Sequence, residues 1–452
     1  MQQEIPHPPR AGIVNAVRFG TDPFRFLEGM QARFEEIVAV PIPGRAPLVI
    51  VTDPDLIHDA LARPGAFSRV PAREPSALIA EQGLVQSEGA LWRQQRSIMG
   101  PAFRGKQVTA YANTVGETVD GLVDEWHAAD DPEARDLHEE MTSLTIRVAS
   151  EILLGEDIGR ENAEQFHDWM RIAGAELEFS PTSVRPSWLP QRTSPEFRRA
   201  AEGIRELSDR IIEQRRASLA DAGDEREGPP RDMLALLLRA EDDPDVTYSE
   251  NQIRDEVATF LIAGHETTAL SLTYTLALLA RHPSMRERVR EEADAVLGDE
   301  RPRYEHVGEL EYAGHVYREA LRLYPPAWAV FRQASRKVRL GDYRVEEGSA
   351  VILPQWSVHR DERYFDAPNR FDPGRWERRS PSSVGAYFPF STGPHACIGS
   401  RFALSGAVLA VARLTQAFEI DVASAELRDL RPTPTLRPAD GVSATVRAVD
   451  RS

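Results

Sequence analysis

Residues 390–399 read FSTGPHACIG, and Cys397 is the only cysteine in 452 residues. It stands between a glycine-bearing turn and a helical run that reads from Ile398 to about Phe418. The start of a helix presents backbone N–H groups without partners, and these, with the positive end of the helix dipole, stabilise a thiolate. Gly393 and Gly399 let the backbone come close to a flat ligand where side chains would not. A lone cysteine is ordinarily a buried core residue. At Cys397 the surroundings favour a metal-bound thiolate instead. A single cysteine also excludes an internal disulfide, a cysteine-cluster zinc site and an iron–sulfur cluster.

Just upstream runs a coil from 360 to 394, long enough to be unusual unless it serves a site. Before it, helices are expected at 109–126, 137–154, 161–177, 195–219 and 231–240, each with apolar residues at three-to-four spacing. The longest starts at Ser249, where Ser249 and Gln252 spell a capping box, and runs to about Arg281 before Pro283. Short strands are expected at 47–52, 338–345 and 350–353, and the charged stretch 221–232 reads as an exposed loop. The fold class is therefore mainly α with a smaller β region.

Inside the longest helix, residues 263–268 read AGHETT. Ala263 and Thr267 are four apart and share a face, with Gly264 beside them. That face is small enough for a planar group and a bound diatomic. The Thr267 hydroxyl can bond the Ala263 carbonyl and loosen the helix there. Glu266 sits between the apolar runs FLIA and ALSL, where a carboxylate is costly without a partner or a task.

Glu319 and Arg322 form E-x-x-R ahead of Pro325 and Pro326. The same spacing at Glu202/Arg205, Glu213/Arg216 and Glu287/Arg290 is explained by solvated helix pairs, so only the order along the chain singles out the first. Trp92 and Arg96 share a helical face in LWRQQR, and Arg332 lies in the strand after the double proline.

Taken jointly, W-x-x-x-R, AGHETT, E-x-x-R and F-x-x-G-x-x-x-C-x-G, in this order from about residue 30 to 450, resemble the signatures of the cytochrome P450 family. The resemblance implies a single catalytic domain over 1–452, with 1–20 as an N-terminal extension and no fused reductase domain. Its fold would be the triangular, mainly helical one, with heme b between the long helix and the cysteine loop. Cys397 would be the axial ligand of the iron, and Trp92, Arg96, Ala263, Gly264, Arg332, Phe390, Gly393, His395 and Gly399 would bind the cofactor. Position 395 departs from the commoner arginine, and His395 would donate to a haem propionate. Thr267 and Glu266 would be the catalytic alcohol and acid that deliver protons to bound dioxygen. Glu319, Arg322 and a third residue from NRFDPGRW, for which Arg370 is favoured over Arg375, would form a structural network.

The implied reaction inserts one atom of dioxygen into a hydrophobic small molecule such as a lipid, terpenoid or steroid. Segments 78–85, 170–177 and 327–330, with Ala263, would wall the pocket. Two electrons would come from NAD(P)H through a ferredoxin- or flavodoxin-type donor and its reductase, docking near Arg93, Arg104 and Lys106. A peroxide-driven peroxygenase and a non-catalytic haem binder are the rival readings. The acid–alcohol pair speaks against both.

The net charge of -17, from 71 acidic and 54 basic residues, argues against nucleic acid as a partner. The first 30 residues carry no signal-peptide core, and no run suits a membrane span, so a cytoplasmic protein is expected.

Overall fold

The computed structural model describes residues 3–9, 12–42, 44–70, 74–129, 134–155, 158–178, 193–221, 232–242, 248–422, 427 and 429–449. Most of the expected loop at 221–232 lies outside them.

The chain opens with α1 (Gly12–Thr21) and α2 (Pro23–Phe34), the latter started by Asp22, whose carboxylate accepts from the Arg25 amide, and by a proline in its first turn. Ala16 and Phe19 of α1 are buried, and Gln3 bridges to Tyr343. Among the described residues, 3–9 and 12–21 are thus tied to the body at these points. The apolar periodicity of so short a helix is what the sequence reading passed over.

The strands β1 (Ile37–Val40) and β2 (Leu48–Val51) follow, then α3 (Pro54–Ala62), β3 (Phe67–Arg69) and α4 (Glu74–Ala80). Helices α5 (Gly89–Met99) and α6 (Lys106–Ala128), the short strand β4 (Ala134–Asp136), and α7 (Leu137–Ala149) continue the chain. The expected helix 137–154 changes character at its end: Ser150–Leu154 is a π-turn closed by Gly155 at φ 70°. Helices α8 (Gly159–Glu176), α9 (Pro195–Asp221) and α10 (Met233–Asp242) lead to α11 (Glu250–Ala280).

Both halves of the expected capping box of α11 form: Gln252 N donates to Ser249 Oγ and Ser249 N donates to Gln252 Oε1. At 31 residues α11 is roughly 46 Å long, enough to cross a domain of this size. Its stretches 255–261 and 269–279 are packed on nearly all sides, burying Phe260, Leu261, Leu270, Tyr274 and Leu278, and Glu256, His265 and Glu266 are buried with them.

Beyond it come α12 (Pro283–Leu297) and α13 (Glu311–Leu323), then β5 (Val330–Ala334), the hairpin β6 (Val338–Leu340) and β7 (Tyr343–Val345), and β8 (Ala350–Leu353). The single turn α14 (Gln355–Val358) follows, and the long coil holds only the single turn α15 (Arg375–Arg378) and a short 3-10 turn before α16 (Ser400–Ala417). Strands β9 (Phe418–Val422), β10 (Leu430–Pro432), β11 (Leu436–Pro438) and β12 (Ser443–Ala448) close the chain.

The main sheet runs β1-β2-β8-β5-β3, with β2 and β8 parallel. Its alternating Ile37, Val49, Val51, Val351 and Leu353 build one core with Phe67, Trp376 and Phe388. The helices form a second, larger core around α11. A small sheet β4-β12-β9 and the hairpin β10-β11 cap it. No helix among the described residues is long and apolar enough to cross a membrane.

Candidate active site

The cysteine loop is held by its own backbone. Cys397 N donates to Phe390 O at 2.9 Å and Ala396 N to Gly393 O at 3.1 Å, which delivers the thiol to the first turn of α16. Gly393 is required on two counts. Its φ is +73°, and a Cβ there would stand 2.4 Å from the Leu61 carbonyl oxygen of α3. Gly399 is different: a Cβ would meet only Phe103 at 3.8 Å, and its service is the amide N–H it offers to Cys397. Burial pushes the Cys397 thiol above its ordinary value, while the Gly399 amide and the Arg96 charge act for the thiolate.

On one side of this loop several cations converge. Arg332 of β5 is the cross-strand partner of Arg69 at the end of β3. Two like charges facing each other across a ladder repel. Burial, and then Arg332, hold the Arg69 guanidinium down to about 10; burial also lowers Arg332 and Arg96. Among the described residues none of the three side chains makes an ion pair with a carboxylate. His395 adds a fourth polar group. Its ring packs edgewise on Trp92 at 4.3 Å, with Nε2 3.7 Å from Glu88 and Nδ1 buried without a hydrogen-bond partner. Burial first, then Arg69, Arg332 and Arg96, drive it down to about 3, so it is neutral at physiological pH.

Three guanidiniums, one buried and two half-buried, and one orphaned imidazole nitrogen call for anions, and two carboxylates on one planar group answer that call. The residues therefore fit the haem that the resemblance implies. Trp92, Arg96, Arg332 and His395 gather as expected. Arg69 was missed, because FSR in a short strand carries no signal that separates it from a surface arginine.

Across the site stands the middle of α11. Ala263 is exposed in a helix otherwise mostly buried there, with Gly264 and Thr267 partly open beside it. Thr267 Oγ1 donates to Ala263 O at 2.9 Å, the bond expected from the spacing. The helix nevertheless continues unbroken from Glu250 to Ala280, so the bond does not open it. Glu266 is not free. Its Oε1 accepts from Arg437 Nε of β11 and from Thr435 Oγ1, both at 2.5 Å. Burial pushes this carboxyl up, but the Arg437 charge and hydrogen bond, with His265 and Thr435, outweigh it and hold Glu266 below the usual carboxylate range. Arg437 lies 171 residues away in the sequence, and nothing local announces it.

The structural network forms with one correction. Glu319 and Arg322 are fully buried and paired twice, Nη2 to Oε1 at 2.8 Å and Nε to Oε2 at 3.0 Å. The third side chain is Arg375, whose Nε donates to Glu319 Oε1 at 3.3 Å. Arg370 points its side chain to solvent and contributes only its carbonyl, which accepts from Arg322 Nη2 at 3.1 Å. The turn at Asp372–Pro373–Gly374 carries position 375 back under α13 and leaves 370 outside. The carbonyls of His359 and Pro368 complete the arginine's partners, so one guanidinium ties three points of the coil.

Comparison with known proteins gives the family. Residues 5–443 match the model of the family Cytochrome P450. The chain is 32% identical to a cyclooctatin synthase of Streptomyces melanosporofaciens, over 97% of this chain and 92% of that protein. It is 30% identical to a cyclooctat-9-en-7-ol 5-monooxygenase of the same organism, covering 88% and 85%, and 30% identical to a pentalenene oxygenase of Streptomyces avermitilis, covering 88% and 87%.

Proposed function

The chain belongs to the cytochrome P450 family and is a monooxygenase, and from that premise we propose that Cys397 is the thiolate ligand of its haem and that the substrate is a terpenoid-like hydrocarbon or alcohol. The observation that carries the site assignment is the convergence of Arg69, Arg96, Arg332 and the orphaned His395 Nδ1, with no carboxylate of the described residues in an ion pair with any of the three guanidiniums, beside the only cysteine. When bound, the haem supplies the redox centre at which one atom of dioxygen enters the substrate and the other leaves as water, a cleavage that thiolate ligation is known to favour in this family.

The chain's own residues do the rest. The Arg69, Arg96 and Arg332 guanidiniums and the His395 ring would hold the two carboxylates of the cofactor. The Gly399 amide steadies the sulfur, and Gly264 lets α11 lie close to Leu153 and Ala149. Thr267 Oγ1 holds a proton at the open face of the helix, within one residue of the acid that replenishes it. That acid, Glu266, rests in its ion pair with Arg437, so the relay draws on a carboxylate that must part from an arginine to serve. The exposure of Ala263 leaves room above the helix for an apolar substrate.

The terpenoid class is supported by the names of the relatives, each of which concerns its own enzyme. Electrons are taken to come from NAD(P)H through a ferredoxin- or flavodoxin-type donor and its reductase. Arg93, Arg104 and Lys106, all exposed near the start of α5 and α6, offer an acidic donor a docking point on a protein of net charge -17. A cytoplasmic location is the companion proposal. Turnover of a panel of cyclic terpenoids under isotopically labelled dioxygen tests the reading. Label in one new hydroxyl of the product is expected; a hydroxyl derived wholly from water contradicts it.

A further inference from the structure

Glu256 is one turn into the buried part of α11, wholly without exposure, and has no part in the chemistry above. Its Oε2 accepts from Leu84 N at 3.0 Å and its Oε1 from the Tyr248 hydroxyl at 3.1 Å. Among the described residues it makes no ion pair. Its neighbour Asp255 accepts from Gln82 N at 2.8 Å. Between these two amides lies Gly83, pressed so close that a Cβ would meet Thr259 Oγ1 at 1.9 Å and Asp255 O at 2.8 Å. Two adjacent carboxylates of α11 thus grip the backbone of the link between α4 and α5.

The same link carries the cofactor cradle. Arg69 Nη1 donates to Leu84 O at 2.5 Å and Ser87 O at 2.8 Å, and the Arg69 amide donates to Glu88 Oε1 at 2.6 Å. Glu88 in turn faces His395. Gln95 of α5 fastens the other side, giving its Nε2 to Gln82 O and receiving the Ser87 hydroxyl. Whatever holds Leu84 therefore holds Arg69.

We infer that Glu256 is a positioning residue: as a neutral acid it latches residues 82–88 onto α11, and its ionisation frees that link together with the Arg69 and Glu88 contacts of the cradle. The charged form is disfavoured because its nearest partners are neutral donors, and a buried carboxylate needs a counter-charge that Leu84 N and Tyr248 do not supply. The groups that face it are Tyr248, kept neutral by burial and by Glu256 itself; Asp255 beside it, which repels; and Arg69 of β3, which attracts. Around Asp255 stand Arg205 of α9, Arg254 and Glu81. Tyr248 serves either state of the acid, since a phenol both donates and accepts. Burial, against the pull of the Leu84 amide, pushes Glu256 up to about 8.

The sign of the effect follows. With the link open, Glu256 meets water and has its ordinary value near 4.3; closed, it titrates at about 8. Closure is therefore fully favoured below the ordinary value and weakens as pH rises to about 8, by about tenfold in the closing constant for each pH unit, and is level beyond.

Hydrogen–deuterium exchange of the purified full chain, read on peptides covering 82–88 and corrected for intrinsic rates, measures this directly. Opening that climbs about tenfold per pH unit to about pH 8 in the wild type, and stays flat in Glu256→Gln, which keeps the hydrogen-bonding shape without the charge, is expected. A flat wild type, or the same climb in Glu256→Gln, overturns the latch. The link to the cofactor rests on the proposed function and has its own readout, transfer of haem to an acceptor protein. Transfer that speeds up with pH in the wild type alone supports it, and transfer that ignores the opening overturns it. A chain that binds no haem at all overturns the function reading, and exchange still decides the latch.

Discussion

At the scale of single residues the site is organised by what each polar group lacks. Arg69 and Arg332 face each other across a strand pair, neither in an ion pair among the described residues, a repulsion that an arriving anion relieves. Glu266 has the opposite condition, a partner already in place. Of the two proposed relay residues, Thr267 is partly open at the exposed face of α11, its hydroxyl hydrogen given to the Ala263 carbonyl, while Glu266 is buried. Replacement Thr267→Ala removes the alcohol and leaves the helix bond ladder intact, so NAD(P)H consumption should continue while product per reductant falls by an order of magnitude or so, a loss of about 1.4 kcal/mol or more in the productive branch. Parallel measurement of reductant, peroxide and product checks it, and unchanged coupling would remove Thr267 from the relay.

At the scale of elements, the coil from 360 to 394 is positioned by one buried ion pair rather than by secondary structure. Arg322 binds the carbonyls of His359, Pro368 and Arg370, and Glu319 binds Arg375 and the Asp372 amide at 3.1 Å. Arg375→Ala leaves a buried carboxylate short of one cation and should cost about 2–3 kcal/mol, whereas Arg370→Ala, at an exposed side chain, should stay within about 0.5 kcal/mol. Chemical denaturation of both variants distinguishes them; equal losses would mean the coil is held in another way.

The capping box at Ser249 and Gln252, the seven expected helices, save for the π-turn that ends one of them, and the strand Ala350–Leu353 were legible, because each is set by local periodicity or capping. The choice between Arg370 and Arg375 was not, since a turn decides which of two arginines in one short motif faces inward. Arg437 and Arg69 were equally hidden. Their roles depend on strand pairings that bring distant residues together, and a single sequence carries no record of those pairings.

At the scale of the whole molecule, an acidic chain presents exposed Arg93, Arg104 and Lys106 beside the elements that carry the cradle. Charge complementarity of this kind acts chiefly on encounter rate. Reversal of the three charges should slow electron transfer from an acidic donor by roughly tenfold at low salt and flatten its dependence on ionic strength, with substrate binding unchanged. Stopped-flow reduction across a salt series reads both, and an unaltered salt dependence would place the donor elsewhere.

At the same scale, α11 on one side and the cysteine loop with its cation cluster on the other are proposed to form one haem pocket. The absorption spectrum of the reduced protein under carbon monoxide, wild type beside Cys397→His, tests that claim most directly. A strongly red-shifted Soret band in the wild type that is lost in the variant is the predicted result; a wild-type spectrum without that band, after expression with ample haem, would contradict it.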